Sequence, residues 1–158
     1  MARTLNLLGI ASGSTGIFLG FFFLGEDASL MIRMVALFTV GINGTLAFVR
    51  HVIFHKSDAE RMGWKTDRPD WMFEVGFANL AFAVATFIAL LIKNGETSLA
   101  VLTAGFAVYL LQAATLHAYR YFTDEEKSAG RLWRSFLLTI LFAGMMLFFA
   151  VNALSANN

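Results

Sequence analysis

Five runs of mainly apolar residues divide the chain, at roughly 5–24, 30–49, 71–92, 98–119 and 132–154. A helix rising 1.5 Å per residue needs about 20 apolar residues to cross a bilayer, and each run is about that long. Apolar and polar positions do not alternate within the runs, as the short strands of a membrane barrel would require. The pattern predicts an all-α membrane protein, a compact bundle of about five transmembrane helices forming a single domain over residues 1–158. The first run begins near Arg3 and resembles a leader, but it is long for a signal-peptide core. Gly25-Glu26-Asp27 is also not a small-x-small cleavage site, so the run is expected to stay as a helix.

The breaks between the runs carry helix-end chemistry. Glu26-Asp27 reads as a short acidic turn. Asn94-Gly95 reads as a helix C-terminus, with Gly95 free to take a left-handed conformation. Pro69-Asp70 precedes the third span, where Asp70 is expected to cap the exposed N–H groups. Ser57 with Glu60 and Thr123 with Glu126 have capping-box spacing. The first pair would open a short surface helix and the second would start the fifth span.

Composition supports lipid as the solvent. The chain is 58% hydrophobic and 15% charged, against about 25% charged in a typical soluble domain. A chain of about 150 residues buries only roughly 70% of its surface, so the surplus of apolar side chains needs lipid around it. The absence of cysteine excludes disulfides, thiol nucleophiles and thiolate metal sites. The net charge of +1, with basic residues scattered through loops, gives no nucleic-acid-binding stripe.

Charge also sets the expected orientation, since Lys and Arg gather in cytoplasmic loops. Arg3, Arg50, Lys56, Arg61, Lys65, Arg68, Arg120, Lys127, Arg131 and Arg134 fall on one side of a five-span chain. Lys93 falls on the other, with Arg33 snorkelling from the second span. Trp64, Trp71 and Trp133 lie at the basic side, like an interfacial belt. The N-terminus is expected in the cytoplasm and the C-terminus outside, in a bacterial inner membrane.

Polar residues at membrane depth are the candidates for function, because lipid makes them costly. They are Asn43, Glu74, Asn79, Gln112 and His117, with His51 and His55 just past the second span. His51, Glu74 and His117 are expected at one depth near the basic side. If the second helix continues past Arg50, Gly44, Ala47, His51 and His55 share a face. Imidazoles with a carboxylate suit zinc, non-haem iron, copper or manganese, and a haem would take axial histidine. Without a cofactor, Glu74 can stay hydrated about one turn inside the third helix, whose N-terminus favours negative charge. His51 and His117 can be interfacial residues bonded to water or lipid phosphate, and a Glu74–His ion pair can fix helix packing. Asn43 and Asn79 read as interhelical hydrogen-bond partners, with Asn79 about 140° around the helix from Glu74. Gly9, Gly13, Gly16 and Gly20 form a small-residue strip for close helix packing, within the chain or between copies.

Val40-Gly41-Ile42, His51-Val52-Ile53-Phe54, Gly63-Trp64 and Phe73-Glu74-Val75-Gly76-Phe77-Ala78-Asn79-Leu80-Ala81 resemble motifs of an uncharacterised family of small bacterial membrane proteins, a domain of unknown function. The chain departs from that pattern at Arg50, where the family commonly has Gly, and at His55, where a Pro often follows. The resemblance implies a four- or five-helix membrane protein and no particular activity. At the level of architecture the chain is also similar to DoxX-like small membrane proteins.

There is no Gly-rich phosphate loop, H-E-x-x-H or G-x-S-x-G in the sequence. This weakens an enzymatic reading. The leading expectation is a non-catalytic protein that works through assembly, as a homo-oligomer or as an accessory subunit of a larger membrane complex. A metal- or haem-binding protein using His51, Glu74 and His117 is the second reading. A proton-linked or solute-conducting oligomer with Glu74, Asn79 and Gln112 on its path is the third.

Overall fold

Each apolar run folds as a helix, because only a helix satisfies its own backbone inside lipid. The computed structural model describes residues 1–63, 68–123 and 136–156. Trp64, Lys65, Glu126, Lys127, Arg131, Trp133 and Arg134 lie outside the described residues, as do the Arg120 side chain and the expected start of the fifth span at 132–135. The helices are α1 (Ala2–Phe23), α2 (Ala28–Ile53), α3 (His55–Met62), α4 (Asp70–Leu91), α5 (Glu96–Thr123) and α6 (Leu138–Ala156). Five of them, all but the short polar α3, are long and apolar enough to cross a membrane. Between 28% and 39% of each span's apolar window is buried within the chain. The remainder is half-buried against the core or exposed, and the exposed part faces outward, as a lipid-solvated bundle requires.

α2 runs past its expected end at residue 49. It is continuous through two π-helical stretches, Leu37–Ile42 and Val49–Ile53, in which hydrogen bonds reach five residues back. The chain bends at Phe54, and α3 begins at His55 as a separate helix. His55 therefore does not continue the α2 face. Its ring meets Phe73 edge-on at 5.2 Å instead.

The helix ends differ from expectation in physically simple ways. Asp27 is the cap of α2, accepting the Leu30 N–H at 2.8 Å. Asp70 is the first residue of α4 and makes no cap bond, so its charge acts on the helix dipole instead. At the α4–α5 turn the left-handed residue is Asn94 (φ 58°). Gly95 is required for another reason, because a side chain there would collide with the Ala89 carbonyl. Ser57 lies inside α3, where its hydroxyl accepts the Ala2 N–H at 3.4 Å and ties the chain's start to this helix. Arg33 does not snorkel freely. It donates to Glu96 at 3.3 Å and to the Leu90 carbonyl at 2.9 Å, clamping α2 to the same turn.

α2 is the hub of the bundle, touching α1, α4, α5 and α6. Met31, Ile32 and Val35 on α2 pack with Met146 and Phe149 of α6 in the core. α1 is inlaid against α2 and α6. A methyl group on Gly9, Gly13, Gly16 or Gly20 would come within 3.0 Å of a side chain of those helices, among them Asn43, Phe38, Val35, Phe142 and Phe149. The glycine strip thus faces inward, onto neighbours in the same chain.

Candidate functional site

The densest polar cluster lies where α2 bends into α3. The second π stretch carries Arg50 and His51, and the first turn of α3 carries Asp58 back against them. Asp58 is fully buried. Its Oδ1 takes Arg61 Nη2 at 2.8 Å and Nε at 2.9 Å, a spacing of three residues that a helix brings together. Arg50 Nε stands 3.5 Å from the same oxygen, and His51 Nδ1 stands 2.8 Å from Oδ2. Both contacts are out of line for straight hydrogen bonds; Arg50 acts on the carboxylate mainly through its charge, and His51 through a bent Nδ1–H contact. Arg50 also donates to Asn6 Oδ1 of α1 at 2.9 Å. One guanidinium therefore ties α1, α2 and α3 together.

The protonation of His51 follows from its neighbours. Arg50 Nη2 lies 3.2 Å from His51 Nε2. A guanidinium can only donate, so Nε2 is the acceptor and the ring proton sits on Nδ1, towards Asp58. Burial pushes the Asp58 carboxyl up. The His51 contact, then Arg50 and Arg61, more than offset this and hold it below the usual carboxylate range. Two arginines, one carboxylate and a neutral imidazole leave the cluster with one net positive charge.

Further along the α4–α5 seam, the Asn79 amide donates to the Val75 carbonyl at 2.7 Å and to Tyr109 Oη at 2.9 Å. Asn79 is thus the interhelical partner its position implied, and Tyr109 is the group it meets. Asn43 lies against the α1 strip, where a Cβ on Gly9 would approach its Oδ1 to 2.8 Å.

The other membrane-depth residues are not gathered here. Among the described residues no three His, Asp or Glu side chains stand together as metal ligands, so His51, Glu74 and His117 are not assembled as a set. The reason is helical geometry. Gly76 is the α4 residue that faces His51, since a Cβ there would sit 3.3 Å from the His51 Cβ. Glu74 is two residues earlier, about 200° around the helix, and is exposed. His117 is half-buried on α5.

Gln112 is also exposed, and its depth matches that of Glu74. Measured from the turn joining α4 and α5, Glu74 is 17 residues below Leu91 and Gln112 is 16 below Glu96, or roughly 25 Å at 1.5 Å per residue. The Asn79–Tyr109 bond checks this register, lying 12 residues down one helix and 13 down the other. A hydrocarbon layer of about 30 Å measured from that turn would reach this depth, about one turn from the start of α4 at Asp70. Among the described residues neither Glu74 nor Gln112 makes a hydrogen bond or ion pair. Asn79 turns inward while Glu74 and Gln112 turn outward, so the three do not line one path through a single chain.

The charged cluster was missed in the sequence because Arg50 and Arg61 read as orientation signals in a basic loop. The Asp58–Arg61 spacing was the one signal that pointed to it. Residues 4–157 match the model of a family of unknown function, DUF6790. No curated protein and no solved structure matches the chain.

Proposed function

We propose that this chain, which belongs to the DUF6790 family, is a bacterial inner-membrane protein that acts through assembly, as an oligomer or as an accessory subunit of a larger membrane complex. The observation that carries the reading is the outward-facing pair Glu74 and Gln112. Apolar side chains on the outside of a bundle need no explanation in lipid. A carboxylate and an amide do, because acyl chains offer them no hydrogen-bond partner. A protein partner at that depth would supply one. The charged cluster at the α2–α3 bend fits the same reading, since Arg50, His51, Asp58 and Arg61 are spent on one another and on Asn6. Their role is to hold the bundle's end in shape.

The orientation belongs to the same proposal. Ala2 is bonded to Ser57 of α3, which gathers Arg3, Arg50, Lys56 and Arg61 at one end of the bundle. That end is the cytoplasmic one by the distribution of basic residues. The N-terminus then lies inside and the C-terminus outside.

The particle mass tests the assembly reading. Extracted with its surrounding lipids in polymer discs and weighed by native mass spectrometry, the particle is expected to contain more than one protein chain. Single chains with lipid alone around them would contradict the reading.

A further inference from the structure

We infer that α4 and α5 form the contact face between two copies of this chain, joined by Gln112 of each copy donating to Glu74 of the other. The inference rests on the assembly reading and names its partner. Its basis is the matched depth of the two residues. Copies inserted the same way and related by an axis along the membrane normal keep every residue at one depth. A group on the contact face of one copy can then meet only groups at its own level on the other. Such an interface is isologous, so each contact between two residues occurs twice.

The α4–α5 face satisfies that constraint with its own residues. A carboxyl group offers two acceptor oxygens, and a glutamine amide offers two N–H donors. Glu74 and Gln112 supply one of each at the same level on neighbouring helices. They stand on the outer rims of a seam whose inner contacts are Asn79 with Tyr109 and Phe82 with Phe106. Turning a second copy half a circle about an axis at that seam sets Glu74 opposite Gln112 and Gln112 opposite Glu74.

The surrounding surface allows close approach. On α4 the exposed positions Glu74, Ala81 and Ile88 recur every seven residues, while Phe77 turns aside to Phe48 of α2. On α5, Val108, Gln112, Thr115 and Tyr119 recur at spacings of three and four. These are the spacings at which membrane helices pack side by side. A lipid tail on this face would leave both polar groups without a partner, and a different protein would have to bring its own donor to this exact level.

Reciprocal exchange tests the pairing. Dimer affinity would be measured by energy transfer between labelled copies in liposomes, for the wild type, Glu74→Gln, Gln112→Glu and the double exchange Glu74→Gln with Gln112→Glu. Gln112→Glu places carboxylate against carboxylate and is expected to weaken dimers at least about tenfold, from two lost interhelical hydrogen bonds plus repulsion. The double exchange restores donor to acceptor and is expected to return affinity to within about threefold of wild type. Both positions are exposed, so helix content by circular dichroism should be the same in all four proteins. A Gln112→Glu protein that pairs as well as wild type, or a double exchange no better than its parts, would overturn the inference. Wild-type particles containing this chain once beside a different protein would also overturn it while leaving the assembly reading intact. Particles containing a single chain and lipid would end both.

Discussion

Replacing Asp58 with asparagine is expected to cost about 3–5 kcal/mol of stability, the range for removing one partner of a buried ion pair. The carboxylate is fully buried and faces Arg50, His51 and Arg61. Without its charge Arg50 remains desolvated between α1 and α3 with nothing to neutralise it. Arg61→Ala is expected to cost far less, about 1 kcal/mol or below, because its side chain is 26% exposed and the pair is partly solvated. Chemical unfolding of the purified protein, followed by tryptophan fluorescence, would measure both. Equal losses would mean that the cluster is not organised around Asp58. Acid should act like the substitution. The folded carboxyl titrates below its ordinary range, so its contribution is fully present above about pH 4 and is lost as the pH falls through the lowered folded value.

Gly44→Leu is expected to open the seam between α2 and α4 and to cost about 3 kcal/mol or more, the upper part of the range for overpacking. A Cβ at Gly44 would already lie 2.8 Å from the Asn79 backbone oxygen and 3.3 Å from the Ala83 Cβ. The nearer obstacle is backbone, which cannot turn aside as a side chain can. Displacing α4 here also strains the Asn79–Tyr109 bond. Gly144→Leu is the matched control. Nothing lies within 4 Å of its Cβ position, and its cost should stay within about 0.5 kcal/mol, as for an ordinary surface change. Thermal unfolding of the two variants in one detergent would compare them. Similar midpoints would mean that the α2–α4 approach is looser than described.

The sequence was informative wherever lipid imposed a rule. The five spans follow from apolar length. Their described ends fall close to expectation, because charged and turn-forming residues must lie where the apolar runs stop. The exceptions are α5, which runs past its expected end to Thr123, and α2, whose π stretches carry the helix to Ile53 through Arg50 and His51. A basic pair at the membrane boundary reads as a loop unless something buries its charge, and that something is Asp58. The carboxylate acts only after α3 folds back against α2, a tertiary fact with no periodic signature. The glycine strip on α1 was visible as spacing, but its neighbours Asn43, Phe38 and Phe149 were not.

The direction in which polar residues face was the hardest feature to read. In a soluble helix the apolar stripe marks the inside. In these spans every face is apolar, so helical angle separates Glu74 from Asn79 without saying which of them is buried. The structure turns Asn79 onto Tyr109 and leaves Glu74 outward, with Gly76 in the place facing His51. The expected grouping of His51, Glu74 and His117 rested on shared depth alone. Depth is legible from sequence, whereas rotation about the helix axis depends on packing.

The most direct test of a protein partner on the α4–α5 face is a photo-cross-link in intact membranes. A photoreactive residue would replace Val108, which is 49% exposed and one turn from Gln112, and in a second protein Val151, which is 59% exposed on α6. Illumination is expected to join the Val108 variant to another protein chain in high yield and the Val151 variant mainly to lipid. Lipid adducts alone from Val108, or protein adducts equally from both positions, would contradict it.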